Sequence, residues 1–275
     1  MMSDKLPDGG MAYPNEWARP SVFYNKYVKW IVYGGIILFV LWSAWEIRVT
    51  WGRFIGGLES ARVLFPTMFP PDFSEAARGR IWTGMIESIA MAFVATVIGV
   101  IISIPIAFMA AENIAPRPIY YVGRSLVSIS RALHELVLAI IAVVAVGFGP
   151  LAGVIALTFA TPGFFAKLLA EDIEDINEGQ LEAIRATGGS GFQVLLYGVA
   201  PQIIPRFIGL AIYRWDINIR ASTIIGIVGA GGIGITLLNS FRRYEYDFSL
   251  AIILAIIAVV LFGEIMSAWA RKRVQ

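Results

Sequence analysis

Residues Ser88 to Ala111 read SIAMAFVATVIGVIISIPIAFMAA, with no charged side chain among them. An apolar run of about 18 or more residues is long enough to cross the hydrocarbon core of a bilayer as a helix. The stretch therefore predicts a spanning helix, and the composition around it agrees. Hydrophobic residues make up 57% of the 275 and charged residues only 15%, against about 25% charged in an ordinary soluble domain. Because the apolar residues fall in long blocks rather than amphipathic stripes, the expected class is an all-α polytopic membrane protein.

Outward from that run, the pattern predicts about six transmembrane helices. The first covers Tyr27 to Ile47, with Trp30, Trp42 and Trp45 near its ends, where amphipathic rings favour the membrane interface. The second is Ser88 to Ala111 itself. Glu135 and Lys167 bracket an uncharged stretch broken by Gly147, Gly149 and Pro150, too long for one span and too short for two of roughly 20 residues each. A third span therefore has to begin upstream, near Leu126, which draws Arg131, His134 and Glu135 towards membrane depth. The fourth runs from Leu151 to Ala170, the fifth from Gln202 to Ser222 and the sixth from Phe248 to Ala268.

The chain then divides into an N-terminal cytoplasmic segment (1-26), the first transmembrane helix (27-47), an extracytoplasmic loop with an interfacial helix (48-84), a transmembrane domain (85-270) containing a polar loop at 171-200, and a cytoplasmic tail (271-275). Six crossings put both termini on one side. Most lysines and arginines fall on that side, so the positive-inside rule favours cytoplasmic termini, with Arg48, Arg53, Arg62, Arg78 and Arg80 as the counterweight. The first 26 residues are polar and lack the apolar core of a secretory signal, so the first span is expected to remain as an anchor.

Several functions are argued against by what the sequence lacks. There is no cysteine, hence no disulfide and no thiol nucleophile, and a single histidine with no neighbouring cluster argues against a catalytic metal site. The net charge of +2 gives no reason to expect a nucleic-acid partner. Gly229, Gly231 and Gly234 satisfy the dinucleotide-binding glycine pattern, but they sit between two spans instead of following a strand, so a bent or re-entrant backbone buried in protein is expected. No phosphate-binding Gly-x-x-x-x-Gly-Lys loop is present, so any ATP must be held by another chain. The duplicated halves common in secondary transporters are not visible either.

Between the fourth and fifth spans the sequence turns polar and reads KLLAEDIEDINEGQLEAIRATGGS from Lys167 to Ser190. A short helix is expected from Gln180 to Thr187, stopped by Gly188 and Gly189, with Ser190 capping a following helix. Ala183 and Ala186 would let another surface approach it closely, and Glu182 near its start suits the helix dipole. The order Glu182-Ala183, then Gly188 six residues after the glutamate, then Pro201, resembles the cytoplasmic coupling motif of ABC importer permeases. Gly198 and Ala200 depart from the general pattern, and Tyr197-Gly198-Val199-x-Pro201-Gln202 is similar to the phosphonate permease variant. Three further segments resemble phosphonate permeases: Gly147 to Gly153, Pro201 to Phe207, and Tyr213 to Thr223. His134 stands where that family often has proline.

The resemblance implies a type I ABC importer permease fold similar to the methionine permeases. It also implies two ATP-binding subunits carrying ATP and magnesium, a second permease chain (identical or a paralogue) and an extracytoplasmic binding protein, with no cofactor in this chain. The setting would be a bacterial inner membrane. Glu182, Ala183, Ala186 and Gly188 become the expected ATPase-coupling residues. Arg131, Arg214, Asp216, Asn218 and Arg220 become translocation-pathway candidates, because ionisable groups inside a membrane face protein or water. Asp216 and Arg220, four apart, can pair along one helical stripe, which would leave Arg214 with a free guanidinium for an oxyanion. A permease for another small solute such as an amino acid, a self-sufficient secondary transporter using Arg131, Glu135, Asp216 and Glu264, and a membrane oxidoreductase remain the alternatives.

Overall fold

The computed structural model describes residues 25–47 and 50–274, and the regular elements among them are all helical. The expected cytoplasmic segment before residue 25 lies outside the described residues. The chain divides into two units, 1–63 and 64–275.

In the first unit, α1 (Lys26–Glu46) begins where Asn25 Oδ1 accepts the Tyr27 N–H at 3.0 Å. It buries no residue and carries apolar side chains all round. At 1.5 Å per residue its 21 residues reach about 31 Å, enough for a bilayer core. The second helix, α2 (Trp51–Thr67), lies in the region expected as a loop with an interfacial helix and extends past residue 63.

The remaining elements of the second unit are α3 (Glu75–Ala110), α4 (Arg117–Ala132), α5 (Glu135–Val146), α6 (Pro150–Glu174), α7 (Glu178–Ala186), α8 (Gly191–Val194), a π-helical turn (Leu195–Val199), α9 (Ala200–Ile225), a 3-10 turn (Gly226–Val228), α10 (Ile233–Arg242) and α11 (Tyr246–Val274). The helix that carries the second span therefore starts at Glu75, ahead of the apolar run from Ser88. Ser74 caps it by accepting the Ala77 N–H, and its charged first turns stand beyond the apolar run.

Lipid tails are as apolar as leucine, so helices in a bilayer associate through close packing of small residues. Helix α3 supplies such a stripe in Gly84, Ser88, Ala92, Ala95, Gly99, Ser103 and Ala107, all buried. Helix α6 answers with Gly153, Ala156, Ala160, Gly163, Ala166 and Ala170. A Cβ added to Gly99 would lie 2.5 Å from the Thr161 Cβ, so the two backbones cross where only glycine fits. Larger side chains fill the core at one end of the bundle, where Phe165, Leu169, Ile173, Leu181, Val199 and Ile203 are buried together.

That end is also tied by polar contacts. Glu174 accepts from Arg124 and from the Glu112 N–H, each at 2.7 Å, and Asn113 donates to the Ile173 carbonyl at 2.8 Å. The opposite end is closed by the glycine turn: Gly229, Gly231 and Gly232 all have positive φ, the Gly149 N–H donates to the Gly229 carbonyl, and the Ile233 N–H donates to Ser88 Oγ. The dinucleotide-like pattern is thus a turn sealed among helices.

The third span differs from expectation. Helices α4 and α5 meet at 87° instead of forming one straight crossing. Two local causes are visible: α4 is strongly amphipathic, whereas α5 is apolar after its first residue, Glu135, and His134 Nδ1 accepts the Leu136 N–H, capping a new helix start. With 12 residues, α5 is about 18 Å long and cannot span a bilayer core alone.

Candidate functional site

Two places in the second unit have the character of sites: the exposed α7 at the end of the bundle, and the α4–α5 corner inside it.

Helix α7 starts two residues earlier than the sequence predicts because Asn177 caps it, accepting the Gly179 N–H at 2.9 Å. It stops where the chain enters Gly188, whose φ of +81° is a left-handed conformation that glycine adopts without a Cβ penalty. The next helix opens with a reciprocal cap, Ser190 Oγ accepting from Gln193 N–H and Gln193 Oε1 from Ser190 N–H. Leu181 is buried, while Glu182, Ala183, Ala186 and Gly188 are exposed. A side chain on Gly198 would meet Leu181 and Ile184 within 3.5 Å, so α7 lies against the π-helical turn with its small-residue face outward. Its base is anchored by Asn177 N–H to Gln202 Oε1 at 2.9 Å and by Arg206 to Asp172 at 2.8 Å. The four residues expected to couple therefore share an outward-facing, firmly rooted knob.

The corner is positioned by a defect in α6. Pro162 has no N–H, and the ladder at that turn is completed by α4: Ser130 Oγ donates to the Phe159 carbonyl at 2.7 Å and accepts the Gly163 N–H at 2.9 Å. Gly163 permits this approach, since a Cβ there would lie 2.8 Å from both Ser130 Oγ and Arg131 Cγ. Arg131 is thereby held at the rim of a cavity of about 480 Å³ lined also by Ser130, His134, Glu135, Lys167 and Arg214. A smaller cavity of about 180 Å³ lies on the other side of the corner, bordered by His134, Glu135 and Arg220.

Arg214 departs from the expectation of a free guanidinium. It is 3% exposed, donating to Glu135 Oε1 and to Thr161 Oγ1, each at 3.2 Å. The bend places Glu135 there, 79 residues away in the chain. The Asp216–Arg220 pair is present at 3.7 Å, with Glu264 4.0 Å from the same guanidinium. Asp216 is buried and Arg220 half exposed. Asn218 faces neither cavity: it is fully buried and donates to Thr96 Oγ1 at 2.8 Å across the α3–α9 contact. The structure brings Arg131 and Arg214 to one cavity, Arg220 to its neighbour, and leaves Asn218 in helix packing. Sequence reasoning missed Lys167 and Ser130 as members of the corner. The Pro162-Gly163 step inside an apolar span was the available signal, since it marks where a neighbour can enter a helix ladder.

Comparison with known proteins gives four findings. The model of the family described as binding-protein-dependent transport system inner membrane component matches residues 103–275. The phosphite transport system permease protein PtxC of Stutzerimonas stutzeri is 42% identical over 240 residues, covering 86% of each chain. The phosphate-import permease protein PhnE of Mycolicibacterium smegmatis is 41% identical over 211 residues, 76% of this chain and 40% of that longer protein. Among solved structures, the inward-facing MetNI methionine ABC transporter superposes with a TM-score of 0.65 at 22% identity, over 74% of this chain and all of the matched one, which establishes a shared fold.

Proposed function

The chain belongs to the binding-protein-dependent transport system inner membrane components, and from that premise we propose that it is the pore-forming permease of an ATP-driven importer of phosphorus oxyanions. Phosphonate, phosphite, hypophosphite and phosphate are the candidate substrates, as the permeases it is similar to are named for phosphite and phosphate. The chain carries out no covalent chemistry on this reading. ATP and magnesium act on two partner subunits, a second permease chain completes the pore, and an extracytoplasmic binding protein delivers the anion. Both termini face the cytoplasm, so the α7 end of the bundle meets the ATPase and the glycine turn faces outward.

The observation that carries the proposal is the knob: a capped, glycine-closed helix presenting Glu182, Ala183, Ala186 and Gly188 to whatever lies beyond the bundle. A surface of small side chains rooted by buried Leu181 transmits displacement instead of absorbing it. Arg131, which makes no ion pair among the described residues, makes the interior hospitable to an anion, while Arg214 ties α9 to α5 through Glu135 and Asp216 holds Arg220 on its own helix.

The test is uptake of radiolabelled phosphate, phosphite and phosphonate by the complex reconstituted with its ATPase and binding protein. Space around Gly188 is open within the chain, so Gly188→Trp is expected to insert normally at a backbone cost of about 1–2 kcal/mol. Uptake should fall at least tenfold while ATP hydrolysis escapes substrate control. Wild-type uptake and stimulated hydrolysis in this variant would refute the coupling role, and absence of uptake for all three anions by the wild type would refute the substrate class.

A further inference from the structure

The larger corner cavity collects unbalanced charge. Arg131, Lys167 and Arg214 reach it from three different helices, and Glu135 is the only carboxylate in its lining. Arg214 is committed to Glu135. Lys167 leans on Glu171 at 3.3 Å, but the two side chains are 36% and 43% exposed, and such a surface pair is worth only about 0–1 kcal/mol. Arg131 has no ion pair among the described residues. His134 uses Nδ1 as an acceptor for Leu136 N–H, which leaves Nε2–H as a further donor. Glu135 uses Oε1 for Arg214, and its Oε2 makes no hydrogen bond among the described residues.

We propose that this cavity binds a tetrahedral phosphorus oxyanion that still carries a proton, with Arg131 and Lys167 on its charged oxygens and Glu135 Oε2 accepting from its P–OH. The assignment rests on the transport reading above and adds a means of selection to it. A phosphate-type group has its second ionisation near pH 6, so at slightly acidic pH it carries negative charge on its oxygens and still an O–H, and phosphate, with a third hydroxyl, keeps an O–H even as its dianion. Sulfate offers negative oxygens alone. An ionised carboxylate is an acceptor without a donor, so Glu135 welcomes the first anion and repels the second. Arg214 is a positioning residue here, fixing the carboxylate through its other oxygen with Thr161 behind.

The experiment uses the assembled permease–ATPase complex, with inorganic phosphate and phosphite as ligands and sulfate as competitor at slightly acidic pH. Arg131 and Lys167 leave no buried partner behind when truncated, and co-purification of the ATPase reports intact assembly. Loss of two charge-assisted contacts in Arg131→Gln/Lys167→Gln is expected to raise the phosphate Kd at least about tenfold. In Glu135→Gln the amide oxygen can still accept from Arg214 while its N–H can meet sulfate, so sulfate should compete about tenfold better. An unchanged phosphate Kd in the double variant overturns the site. Unchanged exclusion of sulfate in Glu135→Gln overturns the selection.

Proteoliposomes separate the two sources of anion. Lower uptake in the double variant identifies imported substrate in transit, whereas release from inhibition by phosphate on the ATPase side identifies returning phosphate as a regulator. A wild-type complex that imports no phosphorus oxyanion defeats the transport reading. Normal import with unaltered binding in the double variant defeats only the site.

Discussion

Ser130 has a role out of proportion to its size, because its hydroxyl takes both places in the α6 ladder that Pro162 disturbs. Replacing it by alanine leaves the Phe159 carbonyl and the Gly163 N–H without that partner, and a lost hydrogen bond in this half-exposed setting costs about 0.5–1.5 kcal/mol. Ser130→Ala is therefore expected to lower the thermal midpoint of the purified complex, and to weaken oxyanion binding by loosening Arg131 although it touches no ligand. An unchanged midpoint would show that water replaces the hydroxyl without loss. The same scale shows what the sequence could tell. The Asp216–Arg220 pair follows from a spacing of four on one helix and was legible. The partner of Arg214 was not, because Glu135 reaches it only after the chain has turned 87° and packed on α6. Asn218 likewise reads as a pathway group in sequence, and its contact with Thr96 depends on how α3 and α9 rotate about their axes.

Among the elements, α7 was legible nearly to its ends, since asparagine, glycine and serine caps are local signals that need no tertiary partner. The α4–α5 corner was hidden for the opposite reason: a polar interruption such as Arg131-His134-Glu135 reads the same whether the chain runs on or breaks there, and the break depends on a cap from His134 and on Ser130 entering the α6 ladder. Helix α2 falls in the region expected to hold a loop and an interfacial helix, with Pro66 inside it near its end. What keeps α7 in place is Leu181, 8% exposed against the core at that end of the bundle. Leu181→Ala removes about 2–5 kcal/mol of packing, more than a nine-residue helix holds on its own. The spans should insert as before while the amount of ATPase recovered with the permease falls several-fold. Full recovery would mean that the knob's shape is kept by its caps alone.

For the whole molecule, stability rests on the crossing of α3 and α6 more than on any polar contact. Gly99 meets Thr161 at the centre of that crossing, and Gly99→Leu would force the helices apart at a cost of 3 kcal/mol or so. It is expected to abolish recovery of monodisperse complex, whereas the same change at Gly56, with open space around it, should be silent. Monodisperse Gly99→Leu would relocate the keystone elsewhere. Helix α6 also has a second office. From Gly163, where α4 is fastened, it continues without a break through Lys167 to Glu174, a run of about 17 Å separated from α7 by only Asp175, Ile176 and Asn177. The outward knob and the inner corner thus share one shaft. Rotation of that shaft by an attached motor would change the bite of Arg131 and Lys167 on their cargo in the same stroke, so grip and release would be timed by mechanics, with no separate signal between them.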